Sequence, residues 1–170
     1  MALEARIEAL EGAGGLAPVG ADSRSGGARR ASLTEGDGTF WALEGLRERV
    51  SEPGAVLITG SVTLPDARIA QWQEGAETAT LLAEDWGELA DVLAAVGHPV
   101  RLRLLQRVLS GVATTAELVQ VDGVGTSGQV YHHLRQLVAV GWLRSAGGGR
   151  YEVPVGRVVP LLTTIVGARR

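Results

Sequence analysis

Three histidines have the widest chemical range in this chain, because imidazole can bind a metal, transfer protons or hydrogen-bond to nucleic acid. They are His98 and the adjacent pair His132 and His133. Adjacent side chains on a helix point about 100° apart, so this pair does not chelate a metal as an i, i+4 pair does. The chain has no Cys, which excludes thiolate metal sites, disulfides and cysteine nucleophiles. We predict no metal site and no cofactor.

Catalytic motifs are missing from the sequence as well. There is no nucleophile elbow and no HExxH pattern, and the glycine clusters GAGG and AGGG lack the Lys-Ser or Lys-Thr of a phosphate-binding loop. Lys is absent, so all 16 basic residues are Arg. We predict that the protein is not an enzyme. Trp41, Trp72 and Trp86 are candidates for a small-molecule effector pocket, although aromatic residues more often belong to a core.

The stretch TSGQVYHHLRQLVAVG predicts a helix over residues 126–141, capped by Thr126 and ended by Gly141. One face is apolar and is expected to pack inward, with Val130, Leu134, Leu137 and Val138 on it. The opposite face offers donors, acceptors and a cation without a carboxylate, which suits base edges and phosphates. An ordinary solvated helix is the alternative. The arginines that flank the following glycine-rich turn are expected to join this face. The predicted DNA contacts are Thr126, Ser127, Gln129, Tyr131, His132, His133, Arg135, Gln136, Arg144 and Arg150.

Charge is divided unevenly along the chain. Residues 1–95 contain 7 Arg and 16 acidic residues, whereas residues 96–170 contain 9 Arg and 3 acidic residues. A basic C-terminal part indicates contact with a polyanion. Chance asymmetry on a solvated surface is the other interpretation.

Local signals predict the elements that precede this helix. Residues 2–11 predict a short helix with an apolar seam, and residues 12–38 predict a flexible linker. A helix is predicted over 39–50, with Thr39 as its cap. Residues 55–75 alternate as a β-hairpin that turns at Pro65-Asp66, and Gly60 indicates a bulge or a close backbone approach. This extension is expected to sense a ligand, to extend a dimer or only to cover the core.

From Asp85 onward, capping signals mark successive helices. Asp85 with Glu88 and Thr114 with Glu117 have the pattern of a capping box, and His98 is expected to cap a helix over 99–110. Two short strands follow over 142–154. A last helix over 155–168 is apolar on most sides, and its Pro160 is tolerable only near the first turn.

The element order predicts an α+β, mainly helical fold. A winged helix-turn-helix domain over residues 85–170 is preceded by a helix plus β-hairpin extension over 39–84 and by an N-terminal helix and flexible linker over 1–38.

The segments LADVLAAVGHPVRLRLLQRVLSG and VYHHLRQLVAVGWLRSAGGGRYEV resemble, in order, the opening helices and the recognition helix with wing of the ArsR/SmtB family of repressors. The resemblance covers about residues 86–166. It implies a homodimer that releases its DNA operator when an inducer binds, with the first and last helices of the domain at the dimer interface. The apolar residues that fit this interface are Trp86, Leu89, Leu93, Val158, Leu161, Leu162, Ile165 and Val166. The family's metal sensors use Cys, or Asp and His on the last helix, and residues 155–168 contain none of these.

We therefore expect a sequence-specific DNA-binding transcriptional regulator, a dimeric repressor that is not a metal sensor. Two alternatives stay open, namely a winged-helix module that binds proteins instead of DNA, and an enzyme with a site in the N-terminal half. The start MALEARIEAL has no basic and apolar leader, and no apolar run approaches the roughly 20 residues of a membrane helix. We expect a cytoplasmic protein whose partners are double-stranded DNA, a second copy of itself and an unidentified small-molecule effector, and not a membrane.

Overall fold

The structure is a computed structural model that describes residues 40–169. The fold there is α+β, with helices predominating and with two antiparallel β-hairpins. In chain order the elements are α1 (Trp41–Arg47), β1 (Ala55–Thr63), β2 (Ile69–Glu77), α2 (Thr78–Ala83), a 3-10 turn (Trp86–Leu89), α3 (Ala90–Val96), α4 (Pro99–Leu109), α5 (Thr115–Leu118), α6 (Ser127–Ala139), β3 (Arg144–Gly147), β4 (Arg150–Glu152) and α7 (Val155–Gly167). The helix and linker predicted over 1–38, and the predicted cap Thr39, lie outside the described residues.

Strands β1 and β2 form the hairpin that the alternation of residues 55–75 predicts. They pair antiparallel along their whole length. The turn lies at Pro65-Asp66, as predicted, where the backbone N–H of Leu64 donates to the carbonyl of Arg68 at 2.8 Å. The Asp66 carboxylate accepts hydrogen bonds from the backbone N–H and the guanidinium of Arg68, at 3.1 and 2.7 Å. These two bonds, the backbone one first, lower the pKa of Asp66.

The hairpin packs against α7, the last helix, although the two are far apart in sequence. A Cβ atom added to Gly60 would lie only 2.8 Å from Cγ1 of Val159, so the strand approaches the helix at a distance that only glycine permits. The reverse arrangement occurs on the neighbouring strand β2, where the ring of Trp72 packs close to Gly156 of α7. The close backbone approach predicted at Gly60 is confirmed, and covering the last helix is one role of the extension.

This packing changes the assignment of the α7 residues. Val158 and Leu161, expected at a dimer interface, are 0% and 2% exposed within the single chain and belong to its core. Leu162 and Ile165 are half-buried, and Val166 is 61% exposed. Within residues 40–169, β1 and β2 cover much of this helix, so Val158 and Leu161 are not available to a partner subunit.

Below the hairpin, helices α3 to α7 enclose one apolar core. Its largest fully buried side chains are Leu104, Leu105, Leu118, Leu134, Leu137, Leu143, Val124, Val130 and Val158. The indole N–H of Trp142 donates to the carbonyl of Val92 at 2.9 Å and joins the end of α6 to α3. Val138, predicted to pack inward, is instead exposed, because only the three other apolar side chains of its face point into the core.

Most of the predicted helix caps are present. Nδ1 of His98 accepts from the backbone N–H of Val100 at 3.2 Å at the start of α4. Thr114 and Glu117 form a reciprocal capping box before α5, and the hydrogen bonds from Thr114 lower the pKa of Glu117. Asp85 accepts from the backbone N–H of Gly87 at 2.8 Å and caps the 3-10 turn. The reciprocal bond expected from Glu88 is absent among the hydrogen bonds of the described residues.

Three local features differ from the predictions. Helix α2 was not predicted, since TATLLA carries no cap signal and is only one and a half turns long. The helix that the Asp85 cap signal predicts opens with the separate 3-10 turn. Pro160 lies in the second turn of α7 rather than its first, because the helix begins at Val155.

None of the helices between residues 40 and 169 combines the length and the apolar character that a bilayer crossing needs.

Candidate nucleic-acid interface

Helix α6 begins with a capping box that fixes its first turn. Oγ1 of Thr126 accepts from the backbone N–H of Gln129 at 3.4 Å, and Oε1 of Gln129 accepts from the backbone N–H of Thr126 at 2.8 Å. The amide oxygen of Gln129, which was expected to read base edges, is therefore already engaged in capping. Only its amide NH2 group is left as a donor for a ligand.

The exposed side of α6 carries polar and small residues. Ser127, Tyr131, His132 and Arg135 are exposed, whereas Val130, Leu134 and Leu137 are fully buried beneath them. The helix sequence SGQVYHHLRQLVA contains no acidic residue. A Cβ added to Gly128 would meet no atom within 4 Å, so the space in front of the first turn is open. This face can approach a polyanion closely without a repelling carboxylate of its own helix.

Gln136, a predicted DNA contact, is held by Arg101. NH1 of Arg101 donates to Oε1 of Gln136 at 2.6 Å, and the same guanidinium donates to the carbonyls of Ala94 and Ala95 at 2.8 and 2.7 Å. Gln136 is half-buried and serves to tie α6 to the end of α3. Arg101 was missed by the sequence reasoning. The available signal was an arginine amid the apolar residues of the segment HPVRLRLL.

His133 is turned toward its own protein rather than toward solvent. Its Nδ1 atom is buried and has no hydrogen-bond partner among the described residues. Its ring centroid lies 4.7 Å from that of His98 and 5.8 Å from that of His132. Burial, followed by the charges of His98, Arg101 and His132, lowers the pKa of His133 below 6.5. Because His133 is half-buried and its Nδ1 atom is buried, it is less available to an outside ligand than the exposed His132.

No cluster of three or more His, Cys, Asp or Glu side chains between residues 40 and 169 is arranged to hold a metal ion.

Strands β3 and β4 form a short hairpin that three hydrogen bonds fix to α5 and to the residue Ala113 just before it. The carbonyl of Gly149 accepts from both the backbone N–H and the hydroxyl of Thr115, each at 2.9 Å. The backbone N–H of Tyr151 donates to the carbonyl of Ala113 at 2.8 Å. Gly147, Gly148 and Gly149 at the tip all have positive φ, which lets the chain reverse within three residues.

The two arginines predicted on this hairpin differ in their surroundings. Nε of Arg144 pairs with Oε1 of Glu152 at 2.5 Å, and Glu152 also pairs with Arg68 at 3.0 Å. Arg150 is exposed and forms no ion pair within the part of the chain that the structure describes. Arg150 is therefore the freer of the two cations for binding an anion.

The three tryptophans proposed for an effector pocket lie on separate elements. Trp41 on α1 and Trp86 on the 3-10 turn are exposed, and the ring of Trp72 packs beside α7. Three cavities formed by residues 40–169 contain none of these tryptophans in their linings. One of the three, with a volume of about 540 Å³, lies between the β1–β2 turn, the end of α4 and the β3–β4 hairpin.

Neither the protein-family models nor the curated protein sequences contain a match to this chain. The chemistry of the α6 face and of the β3–β4 hairpin is thus the ground for assigning a function.

Proposed function

We propose that this protein is a sequence-specific DNA-binding transcriptional regulator of the winged helix-turn-helix type, a dimeric repressor and neither a metal sensor nor an enzyme. In this proposal α5 and α6 are the helix-turn-helix, α6 enters the major groove, and the β3–β4 hairpin is the wing. The observation that carries the proposal is the exposed face of α6, which is free of carboxylates and lies opposite the fully buried side chains of Val130, Leu134 and Leu137.

Positions of the free donors support this assignment. The small residues Ser127 and Gly128 leave room for a phosphate at the first turn of α6, where backbone N–H groups are free and the helix dipole favours anions. His132 and Arg135 are exposed further along the same helix and have the donors that base edges and phosphates accept. Arg150 extends the cationic surface to the wing. These residues, rather than Gln136 or His133, are the contacts we retain.

The dimer in this proposal rests on an apolar stripe, defined here as Trp86, Leu89 and Leu93. Their side chains are 59%, 48% and 54% exposed, while the same segment turns Val92, Ala95 and Val96 inward. Apolar side chains clustered on a surface are typical of interaction sites. A second copy carrying the same stripe would bury it by a two-fold interface, and a two-fold dimer matches a pseudo-palindromic DNA site.

The decisive experiment begins with selection of bound duplexes from genomic fragments, followed by fluorescence-anisotropy titration on the selected and a scrambled duplex at several salt concentrations. Arg150→Ala is expected to weaken binding to both duplexes and to reduce the salt slope by about one unit, because one phosphate contact is lost. His132→Ala is expected to cost about 1–3 kcal/mol, mainly on the selected site, if the ring makes a direct base contact. Arg107→Ala, an exposed cation on α4, is the matched control. Wild-type binding by both test variants would refute the assignment of this face.

A protein-interaction module is the second candidate. The exposed apolar residues Phe40, Trp41 and Ile69 on the extension favour it, because each of them can contribute to contact with another protein. A folded dimer that binds no duplex DNA even at low salt would support this candidate over the regulator.

Metal independence is a prediction of the same proposal. Stoichiometric zinc, nickel or copper is expected to leave DNA affinity unchanged, because the chain has no Cys and α7 has no Asp or His. Isothermal titration that finds a tight metal site, together with loss of DNA binding, would contradict the proposal.

A further inference from the structure

We infer that the cavity between the β1–β2 turn and the wing is an effector site for a small organic acid with a flat apolar body, whose carboxylate binds Arg150. This inference rests on the proposed function, since Arg150 is also one of the proposed DNA contacts.

The cavity has the size and the walls that such a ligand needs. Its volume of about 540 Å³ falls within the roughly 300–1,000 Å³ of typical small-molecule sites. Leu64 and Pro65 of the β1–β2 turn, Leu109 of α4 and Tyr151 of β4 give it apolar and aromatic surface. Three separate parts of the chain thus contribute to one concave site.

Of the two arginines that line the cavity, one has no ion pair and could bind an anionic group. Arg68 is occupied by Asp66 at 2.7 Å and by Glu152 at 3.0 Å, and Glu152 also holds Arg144. Asp66, Arg68 and Glu152 of the lining are therefore engaged with one another and with Arg144, which lies outside the lining. Arg150 also lines the cavity and has no carboxylate within ion-pair distance among residues 40–169. The more distant Glu117 of α5 has its pKa lowered first by the hydrogen bonds from Thr114 and then also by the charge of Arg150. A carboxylate placed against its guanidinium would form the charge-assisted hydrogen bonds that the chain itself does not supply.

The walls are held in place before any ligand binds. Tyr151 is bonded through its backbone to Ala113, at 2.8 Å. A Cβ added to Gly111 would lie 3.5 Å from Cβ of Pro65, so the end of α4 and the β1–β2 turn are in contact. A site that is already formed loses less conformational entropy on binding than one that must be ordered.

Because Arg150 is proposed to bind both DNA and the acid, binding of one is expected to affect binding of the other. An acid that neutralises this guanidinium removes one phosphate contact, so DNA and acid are expected to weaken each other's binding by the same factor. The extension over 39–84 then contributes part of an effector site through its turn, in addition to covering α7.

The test is calorimetric titration of the full chain, without DNA, with naphthalene-2-carboxylate, and with naphthalene-2-carboxamide as the uncharged probe of the same shape. We expect saturable binding of the acid and at least roughly tenfold weaker binding of the amide. Arg150→Gln is expected to weaken acid binding by a similar factor, and Arg150→Lys to restore part of it. Arg107→Gln, outside the cavity, is expected to bind like wild type. Ala146→Trp, which places a ring in the cavity from an exposed position of the wing, is expected to abolish binding.

Three results would each overturn the inference. They are equal affinity for acid and amide, unchanged acid binding by a folded Arg150→Gln variant, and no saturable binding of naphthalene-2-carboxylate, benzoate or indole-3-acetate up to about 10 mM. Because the titration contains no DNA, a chain that binds the acid and not DNA refutes only the proposed function. A chain that binds DNA and none of the acids refutes only this inference.

Discussion

Hydrogen bonds inside the protein decide which polar side chains of α6 are free to meet a ligand. Periodicity placed Gln129, His132, Arg135 and Gln136 on one side of the helix, and the buried Val130, Leu134 and Leu137 confirm that orientation. It could not show that the oxygen of Gln136 is taken by Arg101, a residue 35 positions away. The polar face was thus predictable from the sequence, whereas the subset available to DNA depends on long-range contacts.

Gln129 allows stability and DNA binding to be separated. Gln129→Ala is expected to lower the free energy of unfolding by about 0.5–1 kcal/mol, because one half of the capping box is lost. Gln129→Glu keeps the capping oxygen and adds a negative charge that suits the helix N-terminus, so stability is expected to be retained while DNA affinity falls through repulsion of phosphate. Chemical denaturation and anisotropy titration measure the two effects, with Gln106→Glu on α4 as the control. Wild-type DNA affinity of Gln129→Glu would show that phosphates do not approach this turn.

His133 predicts how stability depends on pH. Its pKa in the folded chain is lowered below the ordinary 6.5, so the unfolded chain binds the proton first as pH falls. The stability contribution is complete above the ordinary pKa and decreases as pH falls from about 7 toward the lower folded-state value. His133→Phe, which keeps a ring but does not titrate, is expected to lose less stability than wild type between about pH 7.5 and pH 5.

The measurement for His133 is urea denaturation at several pH values. The Gln106→Ala variant, at an exposed uncharged position of α4, serves as its control and is expected to follow the wild-type pH dependence. A His133→Phe curve parallel to that of wild type would contradict the assignment.

At the scale of elements, most of the local caps and turns were predictable from the sequence, whereas the packing of α7 was not. The caps at His98, Thr114 and Thr126, and the turn at Pro65-Asp66, were predictable because each depends on residues within about four positions of one another. What covers α7 was not predictable, because its apolar surface is equally compatible with packing against a partner subunit and against a distant hairpin. Gly60 carried the only local hint, a small residue where a strand could approach another element.

Gly60 provides a test of the contact between the hairpin and α7. Gly60→Ala is expected to lower the free energy of unfolding by about 1–3 kcal/mol, because the new methyl group would collide with the stiff side chain of Val159. Val159→Ala in the same chain is expected to recover part of that loss. Gly75→Ala on β2, where the added atom meets ordinary contacts at 3.9 Å, is the control. Thermal and urea unfolding are the measurements, and a Gly60→Ala variant as stable as the control would refute this packing.

The whole molecule presents apolar surface outside its core. The apolar stripe and Val166 are exposed, whereas Val158 and Leu161, which the sequence also suggested for the interface, are inside. A disruption of the proposed dimer must therefore use the exposed positions, since charges at the buried ones would unfold the chain itself.

We expect the double variant Leu89→Glu with Leu93→Glu to be a folded monomer, because charges on a closed two-fold interface would be buried twice. Ile69→Glu, an exposed apolar position on the hairpin, is the control and is expected to leave the dimer intact.

Deletion of residues 2–36, which lie outside the described residues, is also expected to preserve the dimer, since their apolar seam is too short to dominate. Equilibrium sedimentation with circular dichroism decides the matter, and an unaltered dimer of the double variant would exclude the stripe as the interface.

The contact between Gly60 and Val159 also has a consequence for biosynthesis. During translation the hairpin leaves the ribosome roughly a hundred residues before α7, the helix that it covers. The inner face of the hairpin is therefore uncovered until α7 has been synthesised. Final closure of the fold is thus a late, long-range event. Fragments that end before α7 are expected to leave the hairpin uncovered and prone to self-association. A chaperone that binds apolar strands is expected to bind the hairpin of such fragments.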